Sequence, residues 1–269
     1  MFNFIKTPFK IYNVIKLYIL EVFFLIYVII FTIFMTLLGA LSSGIGGFLS
    51  SMIKIENKKI LASLFEFTAG IMTGIVCIDM IPESVRLTNI YVSIFGILCG
   101  IYIIYLIEKK VSKNNEKDVF TNKNNKSIMS LVIILSMSIH NIIEGIAIGT
   151  SFSYSYSLGI TILISIFIHD IPEGMVVGLV DKVNDKIKEN ILFDSIIVGM
   201  SVGIGVLIGL LVGRVGSFYT SFALSLSGGG MLYIVACELI PNSKNIILDK
   251  KVSLFYIVGI ILSILITNV

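Results

Sequence analysis

The chain has 269 residues, of which 56% are hydrophobic and only 14% are charged. Soluble domains average about 45–50% apolar and about 25% charged residues, so this composition excludes an ordinary soluble domain and indicates lipid as the main solvent. The net charge is only +3, and no nucleic-acid partner is expected. The three cysteines lie in apolar stretches and do not indicate a disulfide framework.

Eight segments are apolar enough to cross a membrane, which takes about 20 residues. In chain order the predicted spans are 24–51, 60–82, 90–107, 128–150, 157–180, 194–213, 219–241 and 252–268. We therefore expect an all-α membrane protein in which residues 1–269 form one eight-helix transmembrane domain. The lysine- and asparagine-rich segment 108–127 has too little apolar surface to fold alone and is predicted to be a flexible cytoplasmic loop.

The lysines and arginines predict the orientation, because cytoplasmic loops carry an excess of them. Of the 20 such residues, fifteen lie in the loops after spans 1, 3, 5 and 7 and five on the other side. These four loops are predicted to be cytoplasmic, with both termini outside the cytoplasm and the protein in the cell membrane. Lys6, Lys10 and Lys16 depart from this rule, and a ninth span within residues 9–35 is the alternative that would place them inside.

Two spans share a methionine, a carboxylate and a proline at the same spacing. These residues are Met72, Asp79 and Pro82 in span 2, and Met231, Glu238 and Pro241 in span 7. In the predicted orientation the two spans run in opposite directions across the membrane, so the match predicts an inverted repeat. Inverted repeats recur in transporters, with the substrate site near the bilayer midplane.

Spans 4 and 5 carry the only two histidines of the chain, and each histidine begins the pattern His-x-x-x-Glu-Gly. The polar residues of the motifs are His140, Asn141 and Glu144 in span 4, and His169, Asp170 and Glu173 in span 5. Residues i and i+4 of a helix share a face, so each histidine lies over the glutamate of its own motif. Two such helices packed antiparallel would bring two imidazoles, three carboxylates and an amide to one place.

An ionised carboxylate near the bilayer centre costs at least about 2.5–3.5 kcal/mol, and neither span contains a lysine or an arginine. A bound divalent cation would neutralise these carboxylates. Imidazole nitrogen combined with carboxylate oxygen suits Zn²⁺, Fe²⁺ and Mn²⁺ better than Mg²⁺ or Ca²⁺. Hydrogen bonds between protonated carboxyls and imidazoles, and a proton relay without metal, are the alternatives.

Proline and glycine residues predict how these spans pack. Pro172 leaves the carbonyl of Ile168 without its helical partner, which predicts a local distortion beside the second motif. Glycines four residues apart predict close packing of spans 4, 5 and 6; they are Gly145, Gly149, Gly174, Gly178, Gly205, Gly209 and Gly213. The pair Gly96 and Gly100 in span 3 has the same spacing and predicts a homodimer contact.

The motifs HNIIEG and HDIPEG on consecutive spans resemble those of the ZIP family of zinc and iron transporters, and the short chain and the context of Met72 are most similar to its prokaryotic branch. The resemblance implies a 3+2+3 helix arrangement, an inverted repeat and an elevator-like or rocking movement of one helix bundle against another. The metal ligands that it implies are Met72, His140, Glu144, His169 and Glu173 at one site, with Asn141, Asp170 and the two glutamates at an adjoining site.

The sequence departs from the family pattern at two places. Ile143 stands where the family usually has a proline, so the helix of span 4 should be less kinked. The stretch 201–209 lacks the span 6 glutamate that completes a second metal site in many prokaryotic members. A single bound ion is therefore expected.

These features predict a transporter that moves Zn²⁺, and also Fe²⁺, Mn²⁺ or Cd²⁺, into the cytoplasm, with the metal as substrate and without a catalytic cofactor. The sequence has no phosphate-binding loop, so coupling to ATP hydrolysis is not expected. A metal-ion channel is the alternative. An intramembrane metalloenzyme is a more distant one, because the His-Glu-x-x-His motif of the common zinc proteases is absent and the motif order differs from that of di-iron bundles.

Overall fold

The computed structural model of the chain describes residues 6–53, 58–112, 126–183 and 187–267, and every regular element in these ranges is helical. The α-helices are α1 (Lys6–Met52), α2 (Lys58–Ile75), α3 (Ile81–Leu87), α4 (Ile90–Ser112), α5 (Lys126–Tyr154), α6 (Tyr156–Val183), α7 (Lys188–Gly213), α8 (Ser217–Ile234), α9 (Ile240–Ile246) and α10 (Lys250–Thr267). Two π-helical segments, Val76–Met80 and Val235–Leu239, join α2 to α3 and α8 to α9. The predicted all-α class is confirmed for the described residues.

Six helical stretches of the described chain are long and apolar enough to cross a membrane. They are Tyr18–Met52, Lys58–Leu87, Ile90–Lys110, Tyr156–Lys182, Lys188–Gly213 and Ser217–Ile246. Only 17% of the most apolar window is buried in the first of these stretches and 22% in the third, against 56% or 61% in the others. Helices α1 and α4 thus present a continuous apolar surface to lipid, and the protein is a multi-pass membrane protein, as predicted.

Helix α1 is uninterrupted over 47 residues, which corresponds to about 70 Å at 1.5 Å per residue. The hydrocarbon core is about 30 Å thick, so α1 is more than twice as long as a span requires. The guanidinium of Arg214, just after α7, lies 3.8 Å from the centre of the Phe24 ring of α1. Because the helix has no turn within residues 9–35, these residues do not form a separate ninth span.

Helices of the second half repeat those of the first half at an offset of 159 residues. The offset relates Lys58 to Ser217, Ile75 to Ile234 and Leu87 to Ile246, which are the bounds of α2–α3 and of α8–α9. The two π-helical segments also match at this offset, with Asp79 and Glu238 at equivalent positions. The backbone therefore repeats along the same residues as the methionine, carboxylate and proline pattern.

The helices pack in two groups: a first helix group of α1, α5, α6 and α7, and a second helix group of α2–α4 and α8–α10 with the π-helical segments. Glycines bring backbones into contact inside each group, as small residues permit. A Cβ added at Gly145 would lie 2.1 Å from the carbonyl oxygen of Val202, and one added at Gly70 would lie 2.0 Å from that of Tyr256. Some of the described glycines lie so close to another helix that an added Cβ would come within 3.0 Å of its backbone. In every such case the neighbouring helix belongs to the same group as the glycine.

Three glycine predictions have different outcomes. Gly145 and Gly149 meet α7, as expected. Helices α5, α6 and α7 pack against one another as predicted, but Gly174 lies against α1 instead, since an added Cβ there would lie 2.2 Å from the carbonyl oxygen of Ser43. Gly96 and Gly100 are occupied by α8 inside the chain, so they cannot form the homodimer contact that their spacing suggested.

The backbone distortions also differ from expectation. Pro172 lies inside α6 without interrupting it. Within the described residues, π-helical geometry occurs at the two segments that directly precede the helices containing Pro82 and Pro241. Around the predicted loop 108–127, α4 continues to Ser112 and α5 begins at Lys126, and residues 113–125 lie outside the described ranges.

Candidate metal site

Helices α5 and α6 pack against each other and carry the two histidine motifs at their contact. His140 and Glu144 lie one turn apart on α5, as do His169 and Glu173 on α6. All four side chains are 0% exposed. The i, i+4 spacing has therefore placed both pairs on faces that point into the protein.

One carboxylate oxygen, Oε1 of Glu144, lies between the two imidazoles. Nε2 of His140 and Nε2 of His169 are each 2.9 Å from it. Only the His169 contact has hydrogen-bond geometry, since neither ring nitrogen of His140 has a hydrogen-bond partner. The two imidazoles, one from α5 and one from α6, thus meet at one carboxylate oxygen of Glu144.

The other nitrogen of His169 determines what Nε2 can do. Nδ1 lies 3.1 Å from the carbonyl oxygen of Ser165, which can only accept, so this contact requires a proton on Nδ1. In a neutral ring Nε2 then carries a lone pair, and it faces Glu144 Oε1 at 2.9 Å. Two electron-rich atoms at this distance need a proton or a metal cation between or beside them. The Ser165 carbonyl also fixes the orientation of the ring.

Helices α1 and α7 supply polar contacts around the motifs. The hydroxyl of Ser42 on α1 lies 3.2 Å from Oδ2 of Asp170 and 3.0 Å from the carbonyl oxygen of Gly39, and it can donate its one proton to either acceptor. Nδ2 of Asn141 donates to the carbonyl oxygen of Val198 on α7 at 3.0 Å. Oδ1 of Asp170 lies 3.6 Å from Nε2 of His169, so this carboxylate faces the same point as Glu144.

Several buried atoms of the site lack a hydrogen-bond partner. They are Oε2 of Glu144, both carboxylate oxygens of Glu173, Oδ1 of Asp170, Oδ1 of Asn141 and both ring nitrogens of His140. Buried polar groups are normally paired, and an uncompensated buried charge costs several kcal/mol. Because the unpaired oxygens are all acceptors, a cation is the ligand that would satisfy them.

The ligand atoms of Glu144, His169, Asp170 and Glu173 all lie within 4.8 Å of one another. Two ligands on opposite sides of one ion are at most about 4.4 Å apart at bond lengths of about 2.0–2.2 Å. Small side-chain rotations would therefore allow all four to bind a single ion. One imidazole and three carboxylates form a donor set that suits Zn²⁺, Fe²⁺ or Mn²⁺.

The other three predicted ligands have different surroundings. His140 adjoins the four-residue cluster through its 2.9 Å contact with Glu144. Asn141 directs its amide nitrogen to α7 and leaves its carbonyl oxygen unpaired. Met72 is fully buried in α2 as part of the apolar core, and α2 packs against α6. Burial in the core does not by itself identify Met72 as a ligand.

Two serines that were not predicted from the sequence contact the motifs. Ser42 holds Asp170, and Ser165 bridges the groups: its carbonyl accepts from His169 and its hydroxyl donates to Oδ2 of Asp79 at 3.2 Å. Serines are common in membrane helices, so neither stood out. The available signal was the position of Ser165 one turn before His169.

Comparisons with known proteins identify the family of the chain. The model of the ZIP zinc transporter family matches residues 112–267, which is more than half of the chain. The zinc transporter ZupT of Streptococcus mutans serotype c (strain ATCC 700610 / UA159) is 29% identical over 134 residues, which cover 44% of this chain and 51% of that protein. The matched part of the chain thus spans about half the length of this curated relative. The extent of the family match shows that the chain belongs to the ZIP family.

Proposed function

We propose that this protein takes up divalent transition-metal ions into the cytoplasm, with Zn²⁺ as its best-suited substrate and Fe²⁺, Mn²⁺ and Cd²⁺ as further substrates. The observation that carries this proposal is the set of unpaired carboxylate and imidazole atoms buried between α5 and α6. Family membership and the name of the streptococcal relative, a zinc transporter, support the same substrate class.

The proposed ligands of the ion are Glu144, His169, Asp170 and Glu173, with His140 completing the set from α5. Met72 is a proposed thioether ligand from α2, and Asn141 a proposed carbonyl ligand. The stretch of α7 beside Asn141 offers glycines where a second metal site would need a carboxylate. We therefore propose one ion for each transport cycle.

The proposed membrane arrangement has eight spans in a 3+2+3 order. Helices α5 and α10, of 29 and 18 residues, would join the six apolar stretches already described. The 159-residue offset supports the inverted repeat. Lysine placement supports a cell-membrane orientation with both termini outside the cytoplasm and residues 108–127 in a cytoplasmic loop. A homodimer would use a surface other than the one predicted at Gly96 and Gly100.

We propose that the first helix group moves against the second as a rigid body and carries the ion in an elevator-like, alternating-access cycle. Glycine-mediated backbone contacts hold each group together, whereas the described hydrogen bonds between the groups are donated by the hydroxyls of Ser165 and Thr220. A potential of about 100 mV, negative inside, favours entry of a divalent ion by up to about 4.6 kcal/mol when its charge moves uncompensated. Uptake therefore needs no ATP.

The test is uptake of radiolabelled Zn²⁺ into proteoliposomes that contain the full chain. Wild type should show saturable uptake, and His169→Ala and Glu173→Ala should abolish it. Glu189→Ala is the control, because Glu189 is an exposed glutamate in the first turn of α7 and should transport like wild type. The proposal fails if intact protein moves none of the four metals faster than empty vesicles. Uptake that rises linearly with concentration, without saturation, would indicate a channel instead.

A further inference from the structure

A groove lies between α2 and α10, on the outside of the second helix group. The two helices touch where an added Cβ at Gly70 would lie 2.0 Å from the carbonyl oxygen of Tyr256, and one at Gly259 would lie 2.4 Å from that of Phe67. On the N-terminal side of this contact the helices enclose a groove of about 580 Å³. It is open to the surroundings, since Phe255 is 45% and Val258 is 49% exposed.

The floor of the groove is apolar. Leu64 and Phe67 line it from α2, and Val252, Phe255 and Val258 line it from α10. In a helix pair surrounded by lipid, a concave apolar surface of this kind accommodates a hydrocarbon chain. The metal site contributes no residue to this lining.

The mouth of the groove is cationic. Lys59 and Lys251 line it together with one carboxylate, Asp249. Asp249 accepts from the backbone N–H of Lys251 at 2.9 Å and pairs with the ammonium of Lys59 at 3.6 Å. That backbone hydrogen bond, and then the Lys59 charge, lower the pKa of Asp249 below its ordinary value, so the carboxylate stays ionised. The exposed Lys58 and Lys250 lie at the same end, and together the four lysines outweigh one carboxylate.

We propose that this groove binds an anionic phospholipid, with an acyl chain on the apolar floor and the phosphate between Lys59 and Lys251. An anionic phospholipid matches the apolar floor and the excess positive charge at the mouth, whereas the head group of a zwitterionic phospholipid has no net charge to match the lysines. The inference uses the proposed orientation, which places this end at the cytoplasmic leaflet, where anionic lipids attract basic residues. It does not depend on the metal site, and either proposal can fail without the other.

Native mass spectrometry of the full chain tests the proposal, with dioleoyl phosphatidylglycerol and dioleoyl phosphatidylcholine titrated separately. Wild type should bind one phosphatidylglycerol more tightly than phosphatidylcholine. Replacing both Lys59→Gln and Lys251→Gln should lower the phosphatidylglycerol affinity roughly 20-fold, since each lysine near an anionic lipid contributes about fivefold. The double variant Lys109→Gln with Lys110→Gln, at the exposed end of α4, is the matched control and should bind like wild type.

A second variant tests the apolar floor. Val258→Trp should fill the groove and weaken phosphatidylglycerol binding while leaving every lysine in place. A thermal unfolding midpoint in detergent close to that of wild type would show that each variant folds. Equal losses in the two lysine pairs would mean general charge attraction and overturn the proposal. Equal binding of the two lipids would also overturn it. Displacement of the lipid by millimolar inorganic phosphate would overturn the proposal, because the groove would then bind free phosphate. Loss of a protein dimer in the Lys59 and Lys251 variant would also overturn it, because a second copy of the chain would then occupy the groove.

Discussion

Glu66 in the second helix group and Glu173 in the first are both buried, and their partners differ. Glu66 is 2% exposed, accepts from the hydroxyl of Ser243 at 3.0 Å and pairs with the ammonium of Lys244 at 2.8 Å. Glu173 is 0% exposed, and neither of its carboxylate oxygens has a hydrogen-bond partner. A buried charge that is paired inside the protein holds helices together, whereas one left unpaired is available to a ligand.

The contacts within each helix group also differ from the contacts between the two groups. Inside each group, glycines bring helix backbones together. Between the groups, the described side-chain hydrogen bonds include Ser165 to Asp79 at 3.2 Å and Thr220 to the carbonyl of Thr150 at 3.2 Å. Backbone contacts resist relative movement, whereas single hydrogen bonds can be exchanged. The boundary between the groups is therefore where movement is expected.

The largest effect is expected where a new side chain separates two backbones of one group. In Gly46→Ala the Cβ would lie 2.1 Å from the carbonyl oxygen of Ile171, so we expect the free energy of unfolding to fall by more than about 3 kcal/mol. In Gly44→Ala the Cβ would lie 3.1 Å from Cγ1 of Ile196, a side chain that can rotate. Thermal unfolding in detergent should separate the two variants, and equal midpoints would contradict rigid packing inside the group.

The two buried glutamates should respond in opposite ways. Glu173→Gln removes a carboxyl group that has no hydrogen-bond partner in the protein, so the metal-free protein should keep its unfolding midpoint while its zinc affinity falls about 100-fold or more, because a ligand is lost. Glu66→Gln weakens an ion pair whose lysine is 37% exposed, so stability should fall by roughly 1–3 kcal/mol with zinc affinity unchanged. Calorimetric zinc titration and thermal unfolding measure both. A drop in zinc affinity in Glu66→Gln would break the distinction between the two groups.

A smaller effect is expected from the serine that holds Asp170. Ser42→Ala removes the donor to Oδ2 of Asp170, and the loss of such an outer contact should lower zinc affinity about tenfold. Ser50→Ala is the control on the same helix, because the Ser50 hydroxyl donates to the carbonyl oxygen of Gly47 instead. Equal zinc affinities in the two variants would show that Ser42 does not position the carboxylate.

The smallest effect is expected at the boundary between the groups. Ser165→Ala removes the hydrogen bond to Asp79 but keeps the carbonyl that orients His169. A hydrogen bond contributes about 0.5–1.5 kcal/mol, so uptake should become roughly two- to tenfold faster without a change in zinc affinity. Ser153→Ala removes a bond to the carbonyl of Leu210 inside the first group and should leave the rate unchanged. An unchanged rate in Ser165→Ala would mean that this bond does not resist movement.

Local sequence patterns predicted the family and the helical membrane class, and both predictions were confirmed. The i, i+4 spacing also predicted that each histidine lies over its glutamate. The partners of Gly174 and Gly96 were not predictable, because a glycine pattern shows that a helix packs closely but not against which helix. The π-helical segments and the Ser42 contact depend on tertiary packing for the same reason. The ligand roles of the motif residues remain predictions.

X-ray absorption spectroscopy at the zinc edge of the zinc-loaded full chain tests the central claim most directly. Besides the sulfur of the proposed ligand Met72, the site between α5 and α6 predicts nitrogen and oxygen ligands at about 2.0–2.2 Å with an imidazole scattering signature. That signature should weaken in His169→Ala. A first shell without imidazole, or a signature that is the same in wild type and His169→Ala, would contradict a metal site at the two histidine motifs.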